Sequence, residues 1–292
     1  MTDNTKPKPL THELSEALER IGHALAEKAE REKATVPQPK PPATARLILF
    51  PEWADTRRAA PSAAFRSALF PALGRQKRRK LWDEQIYSVK GVTVLFRGEQ
   101  FDQSDLDVYL EILHLMADQH GTAEFTAHSL LKALGRKIGA SGYEWLHSVI
   151  IRLTAGTVDM TDHKTRYFGH LIEGGTRDET TKKYVLSVNA KFAHMFKVAW
   201  STLDIKQRRS LKSDTAKALH AYYSSHLNPK FHRYDTLAGI AGIVGKNSKA
   251  TLLKAHKGVY AQTAENSVQP LGNGFLGQKR LIFAGSGMGV KF

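Results

Sequence analysis

Tyr222 and Tyr223 stand side by side in LHAYYSSH (Leu219–His226), between His220 and His226. Tandem tyrosines raise the chemistry of strand nicking, in which a phenol oxygen attacks a phosphodiester and stays bonded to phosphorus. Such enzymes also hold a metal on a close histidine pair, and the chain contains no His-x-His; His220 and His226 lie six apart with no acidic neighbour in sequence. The tyrosines are expected in the core and on a helix surface instead. GIAGIVGKNS (Gly239–Ser248) has the look of a phosphate loop, but the spacing fails. A Walker-type loop needs glycine where Ile240 stands, and Ser or Thr where Asn247 follows Lys246. The segment reads as a helix ending at Gly245 before a turn. The 13 histidines show no His-Glu-x-x-His or comparable ligand spacing. With no cysteine, disulfides and thiolate metal sites are excluded. No catalytic centre, metal or cofactor is expected, so the chain is read as a binding protein rather than an enzyme.

Charge is the next signal. The net charge is +15, with nine basic against two acidic residues over 46–80 and 14 against four over 201–292. Positive charge grouped in this way is the footprint of nucleic-acid binding. No apolar run is long enough for a membrane span and no secretory h-region opens the chain, so a cytoplasmic protein is expected.

The elements that must position these charges follow from hydrophobic period. Leu14, Leu18, Ile21 and Leu25 form one apolar stripe, which predicts an amphipathic helix within 1–35. A Pro-rich flexible linker, carrying an apolar peptide and the basic run RQKRRK (75–80), is expected over 36–81. IYSVKGVTVLF reads as a strand pair turned at Lys90–Gly91. SDLDVYLEILHLMADQHG, FTAHSLLKALG and SGYEWLHSVIIRL read as three helices. Thr126 is the expected N-cap of the second, and Ser141 with Glu144 a capping box on the third. TVDMTD, YFGHLIE and KYVLSV alternate as strands, the last two joined by GGTRDETTK. Three helices followed by a hairpin make a winged helix-turn-helix, whose third helix enters the major groove. DTAKALHAYYSSH, YDTLAGIAGIVG (Asp235 as N-cap), KNSKATLLKAHKGVYAQTAENS, GFLGQ and KRLIFAGS repeat the order. The expected fold class is α+β: two tandem winged-helix domains at 82–200 and 205–292. In the first, Tyr143, Glu144, His147 and Arg152 are the expected base readers, and Lys164, Arg166, Lys182 and Lys183 the phosphate contacts at the hairpin. In the second, Lys246, Asn247, Lys249, Lys254 and Lys257, with Lys279 and Arg280 on the last hairpin, face the duplex.

One block is more specific. Trp53, Asp55, Thr56, Arg58, Ala59, Pro61, Arg66, Ser67, Ala68, Leu69 and Phe70 resemble the W-x-D-T-x-R-A-x-P-x-x-x-x-R-S-A-L-F block of the TrfA family of plasmid replication initiators. Thr215, Ala216, Tyr222, Ser224, Ser225 and His226 are similar to that family's T-A…Y-F-S-S-H segment, and Arg152, Leu153 and Ala155 to its R-L-x-A segment. The resemblance implies two winged-helix domains that bind direct repeats (iterons) at a plasmid origin, open it with host initiator and helicase, serve copy control, and do no catalysis. It also implies dimers in exchange with binding-competent monomers. Leu47, Ile48, Leu49 and Phe50 match the family's L-x-L-F peptide, similar to sliding-clamp ligands, with Arg46 where the family has glutamine. A packed edge strand is the other reading of that peptide. A transcriptional repressor, or a tyrosine nicking enzyme, are the alternatives to an initiator.

Overall fold

The computed structural model describes residues 20, 23, 50–74, 77–119, 121–187, 191–226, 232–243 and 248–266. Of the expected N-terminal helix only Arg20 and His23 are described, both helical. From Phe50 the chain forms β1 (Arg57–Pro61), α1 (Ser62–Phe65), β2 (Lys80–Ile86), β3 (Val92–Glu99), α2 (Gln103–Asp118), β4 (Thr122–Thr126), α3 (Ala127–Ala133) and α4 (Ala140–Ala155). It continues as β5 (Thr157–Asp162), β6 (Thr165–His170), β7 (Gly174–Arg177), β8 (Lys183–Ser187), α5 (Ala193–Val198) and β9 (Trp200–Asp204). The last described elements are α6 (Ile205–Ser210), α7 (Asp214–Ser224), α8 (Tyr234–Ala241) and α9 (Ser248–Asn266). The architecture is mixed α+β, with antiparallel sheets ordered β1-β9, β2-β3-β5-β6 and β4-β8-β7. Among the described residues no helix is long and apolar enough to cross a membrane.

α2 organises the first core. Asp102 caps it by accepting from the Ser104 and Asp105 amides, and Asp105 accepts in return from the Asp102 amide. That reciprocal pair satisfies donors that a helix start leaves open. Its apolar residues Leu106, Tyr109, Leu110, Ile112, Leu113 and Met116 are all buried, with α4, β1 and β4 packed around it. α3 starts at Thr126, whose hydroxyl accepts from Ser129 N–H. It stops at Gly135, where φ is +65° and the Gly135 and Arg136 amides return to the carbonyls of Lys132 and Leu131. This left-handed stop turns the chain toward α4.

A second core joins α7, α8 and α9 through Leu219, Tyr222, Tyr223, Leu237, Ile240, Leu252, Ala255 and Val259. The two cores meet along a polar seam. Arg208 of α6, wholly buried, donates to Asp107 of α2 at 2.6 Å, to the Gln103 side chain at 3.0 Å and to the Lys217 carbonyl at 3.1 Å. Lys217 of α7 reaches the other Asp107 oxygen at 2.6 Å. Burial raises the Asp107 pKa, but the two cations outweigh it and hold the carboxyl below its usual value.

The structure corrects several expectations. The flexible linker expected over 36–81 does not hold for its described part, because the stretch has partners of its own. β1 pairs β9 from Arg57↔Asp204 to Pro61↔Trp200, Trp53 donates to His114 Nδ1 at 3.0 Å, and Arg58 donates to Glu111 at 2.9 Å. Arg66 donates to the Ser225 carbonyl, so the two sequence blocks behind the family resemblance touch across 159 positions. YFGHLIE and KYVLSV do not form one hairpin. β6 pairs β5 around His163–Lys164, whereas β8 pairs β4 and β7. Alternation marks strands but not their partners, and the glycines read as a loop tip build β7. A Cβ on Gly175 would come within 2.3 Å of the Val185 carbonyl, so only glycine admits that pairing. α4 is capped by Gly139 (φ +150°), not by a Ser141–Glu144 box. The N-cap of α8 is Arg233 rather than Asp235. α8 also ends at Gly242, earlier than the expected Gly245: the backbone turns left-handed there (φ +65°) and the Ile243 amide returns to the Ala238 carbonyl, while a Cβ at 242 would strike Pro71 at 2.5 Å.

Candidate nucleic-acid interface

α4 lies on the core through Leu146, Val149, Ile150 and Leu153. Its opposite face presents Ser141, Glu144, Ser148, Ile151 and Ala155 to solvent. The turn before it carries exposed Arg136 and Lys137, with Lys132 exposed on the last turn of α3. The Arg136 guanidinium lies 3.6 Å from the Trp145 ring centroid, a cation–π contact that anchors the charge at the mouth of the helix. Beside α4 runs the β7–β8 hairpin. His147 Nδ1 is 3.2 Å from the Tyr184 hydroxyl of β8, and Arg177 of β7 sits over the Tyr184 ring at 5.5 Å. The hairpin tip is tied by Asp178, which accepts from the Thr180 and Thr181 amides at 2.9 and 2.6 Å. A helix with an open polar face, cations at its entrance and a basic hairpin alongside can fit a groove between two phosphate strands.

The expected site residues divide accordingly. Glu144 is exposed as read. Tyr143 is half-buried against the core, and His147 is held by Tyr184. Arg152 is turned inward: its side chain is 9% exposed and its Nε lies 3.5 Å from Asp105, so it is a structural cation rather than a base reader. Three residues after Val149, it stands on the flank of the apolar stripe, and its side chain bends inward to Asp105 and Glu99. Burial and neighbouring Asp102 push the Asp105 pKa up to about 6, with Arg78 and Arg152 opposing. Lys164 and Arg166 belong to β5–β6, a different sheet from Lys182 and Lys183. Three of these four cations are engaged at home, Arg166 with Asp159 at 2.5 Å, Lys182 with Glu179 at 2.9 Å and Lys183 with Glu124 at 2.7 Å. Exposed pairs of this kind exchange readily for phosphate.

In the second three-helix unit Lys249 and Lys254 lie on the exposed side of α9, opposite buried Leu252, Ala255 and Val259. Lys246, Asn247, Lys279, Arg280 and the side chain of Lys257 lie outside the described residues, as do the last two expected strands. Tyr222 and Tyr223 are buried. Burial pushes the Tyr222 phenol up to about 12, and its oxygen is 3.1 Å from His232 Nδ1. Leu47, Ile48 and Leu49 lie outside the described residues. Phe50 packs edge-on against Phe196, ring centroids 5.3 Å apart, and beside Trp53.

Ser148, Ile151, Lys132, Arg136 and Lys137 are absent from the sequence-based site. The adjacent Arg136–Lys137 pair just ahead of a helix was the available signal. The inward turn of Arg152 had none, because an arginine at the edge of an apolar stripe turns to either side.

No family model matches the chain. Solved structures of domains 2 and 3 of RctB align with TM-scores of 0.46 and 0.40 at 11% and 12% identity, covering 71% and 68% of this chain and 85% and 79% of theirs. The plasmid replication initiator protein TrfA of Escherichia coli is 24% identical over 200 residues, 65% of this chain. The chain spans about half (52%) of the length of that curated relative. The chain is similar in sequence to a plasmid replication initiator of the TrfA type, the family that its Trp53–Phe70 and Thr215–His226 blocks resemble.

Proposed function

We propose that the chain initiates plasmid replication by binding direct repeats in duplex DNA through two winged helix-turn-helix units. One observation carries the reading: the strand order β4-β8-β7 around α2, α3 and α4. A winged helix runs helix, strand, helix, helix, strand, strand, with its first strand beside its last. α2-β4-α3-α4-β7-β8 follows that order once β5–β6 is taken as an insertion that extends the β2–β3 sheet. α4 is then the recognition helix and residues 178–182 the wing. α7, α8 and α9 supply the three helices of the second unit, with Lys249 and Lys254 outward. Cations displace counterions from phosphates and give salt-dependent affinity, while α4 and α9 read bases. The protein acts by binding, without covalent chemistry, and the buried state of Tyr222 and Tyr223 favours this over nicking. Leu47–Phe50 engages a sliding clamp, for which Phe50 leaves its contact with Phe196, and host initiator and helicase join at the opened origin.

The experiment pairs a minireplicon with a binding series. Deleting the coding sequence should stop replication, and the purified chain should prefer origin repeats to scrambled duplex at every salt concentration. Continued replication, or equal affinity for both duplexes, contradicts the proposal.

A further inference from the structure

We propose, resting on the duplex-reading role of α4, that its outward row selects pyrimidines: Glu144 accepts from the N4 amino group of a cytosine and Ile151 packs on the C5 methyl of a thymine. The exposed residues Ser141, Glu144, Ser148, Ile151 and Ala155 recur at steps of three and four, one stripe along the helix. Neither arginine nor lysine occurs in that stripe to take guanine O6 and N7, and neither asparagine nor glutamine to take adenine N6 and N7. The groups that could have widened the choice are turned away, Arg152 to Asp105 and His147 to Tyr184. The Ser148 hydroxyl already donates to the Trp145 carbonyl at 2.7 Å.

Ile151 is 52% exposed, and among the described residues it is one of five large apolar side chains so displayed. The thymine methyl is the apolar feature of the major groove that an aliphatic tip fits. Glu144 repels phosphate, so its place on this face is favourable only where a base offers it a donor, and cytosine N4 is that donor. Arg136, Lys137 and Lys132 at the entrance of the helix offset the repulsion. Glu144 and Ile151 are two helical turns apart, about 10.5 Å along the axis, which matches about three base pairs. The selected sequence therefore carries a cytosine and a thymine about three base pairs apart.

The test is selection of full-length protein on a randomised duplex library, with wild type, Glu144→Gln and Ile151→Ala, each matched to wild type in melting temperature. Wild type should enrich the spaced cytosine and thymine. Glu144→Gln should move the first preference to adenine, which glutamine reads through N6 and N7. Replacing the selected thymine by deoxyuridine should weaken wild type about fivefold to tenfold and leave Ile151→Ala unaffected. An enriched sequence that is identical in all three proteins overturns the assignment while leaving DNA binding intact, and places base reading elsewhere in the chain. Retention of no duplex by any protein overturns the proposed function and this inference with it.

Discussion

Acid should loosen the seam between the two cores through His220. This ring is buried, its Nε2 3.0 Å from the Gln207 side chain. Burial, then the cations Arg208 and Arg57, depress its pKa from 6.5 to about 3, against the opposing pull of Asp107. Folding therefore favours the neutral ring. The stabilisation is whole above about pH 6.5 and is lost progressively as pH falls from there toward 3. Between about pH 7.5 and pH 5 the unfolded chain takes up close to one proton that the folded chain refuses. At about 1.36 kcal/mol per unit over roughly one and a half units, the loss is about 2 kcal/mol. His220→Gln keeps a polar partner for Gln207 and removes the titration. Urea unfolding of both proteins across this range should show a shallower pH slope in the variant, by about one proton. Asp105, with its pKa raised to about 6, stabilises the fold as pH falls through that value, but it is common to both proteins and cancels in the difference. Parallel slopes for wild type and His220→Gln would refute the reasoning.

The remaining expectations are simpler. Arg66→Ala removes the donor to the Ser225 carbonyl and should cost about 1–3 kcal/mol by denaturant unfolding; Arg66→Lys should not restore it, since the fork also approaches Ser225 Oγ. Arg152→Ala should destabilise by about 3 kcal/mol through the carboxylates it leaves behind. Arg136→Ala should cost no more than about 1 kcal/mol, the cation–π contact with Trp145, and reduce the slope of log affinity against log salt by about 0.9; the opposite pattern in these two variants would reverse their roles. Changing Leu49 and Phe50 together to Ala should abolish retention on immobilised sliding clamp, and undiminished retention would remove the clamp role.

Much of this arrangement was legible from period and capping. Leu106, Leu110 and Leu113 announced α2, Thr126 its successor's cap, and Leu146, Val149, Ile150 and Leu153 the inner face of α4. What stayed hidden depends on partners distant in sequence. Arg58 is unremarkable beside Arg57 until Glu111 arrives from 53 residues away. Arg208 resembles a solvated cation in KQRRS, yet it is buried because Asp107 and Gln103 surround it. Strand pairing failed for the same reason: β5, β6 and β8 share one alternating pattern, and only the packed sheets assign β8 to β4.

The absence of native cysteine allows a direct test of α4 in the groove. A single Ser148→Cys protein carrying a tethered iron–EDTA reagent should cut the DNA within each origin repeat, whereas the cysteine-free parent protein treated with the same reagent should not. No cleavage from position 148 above that of the parent protein, with the repeat still bound, would contradict the account.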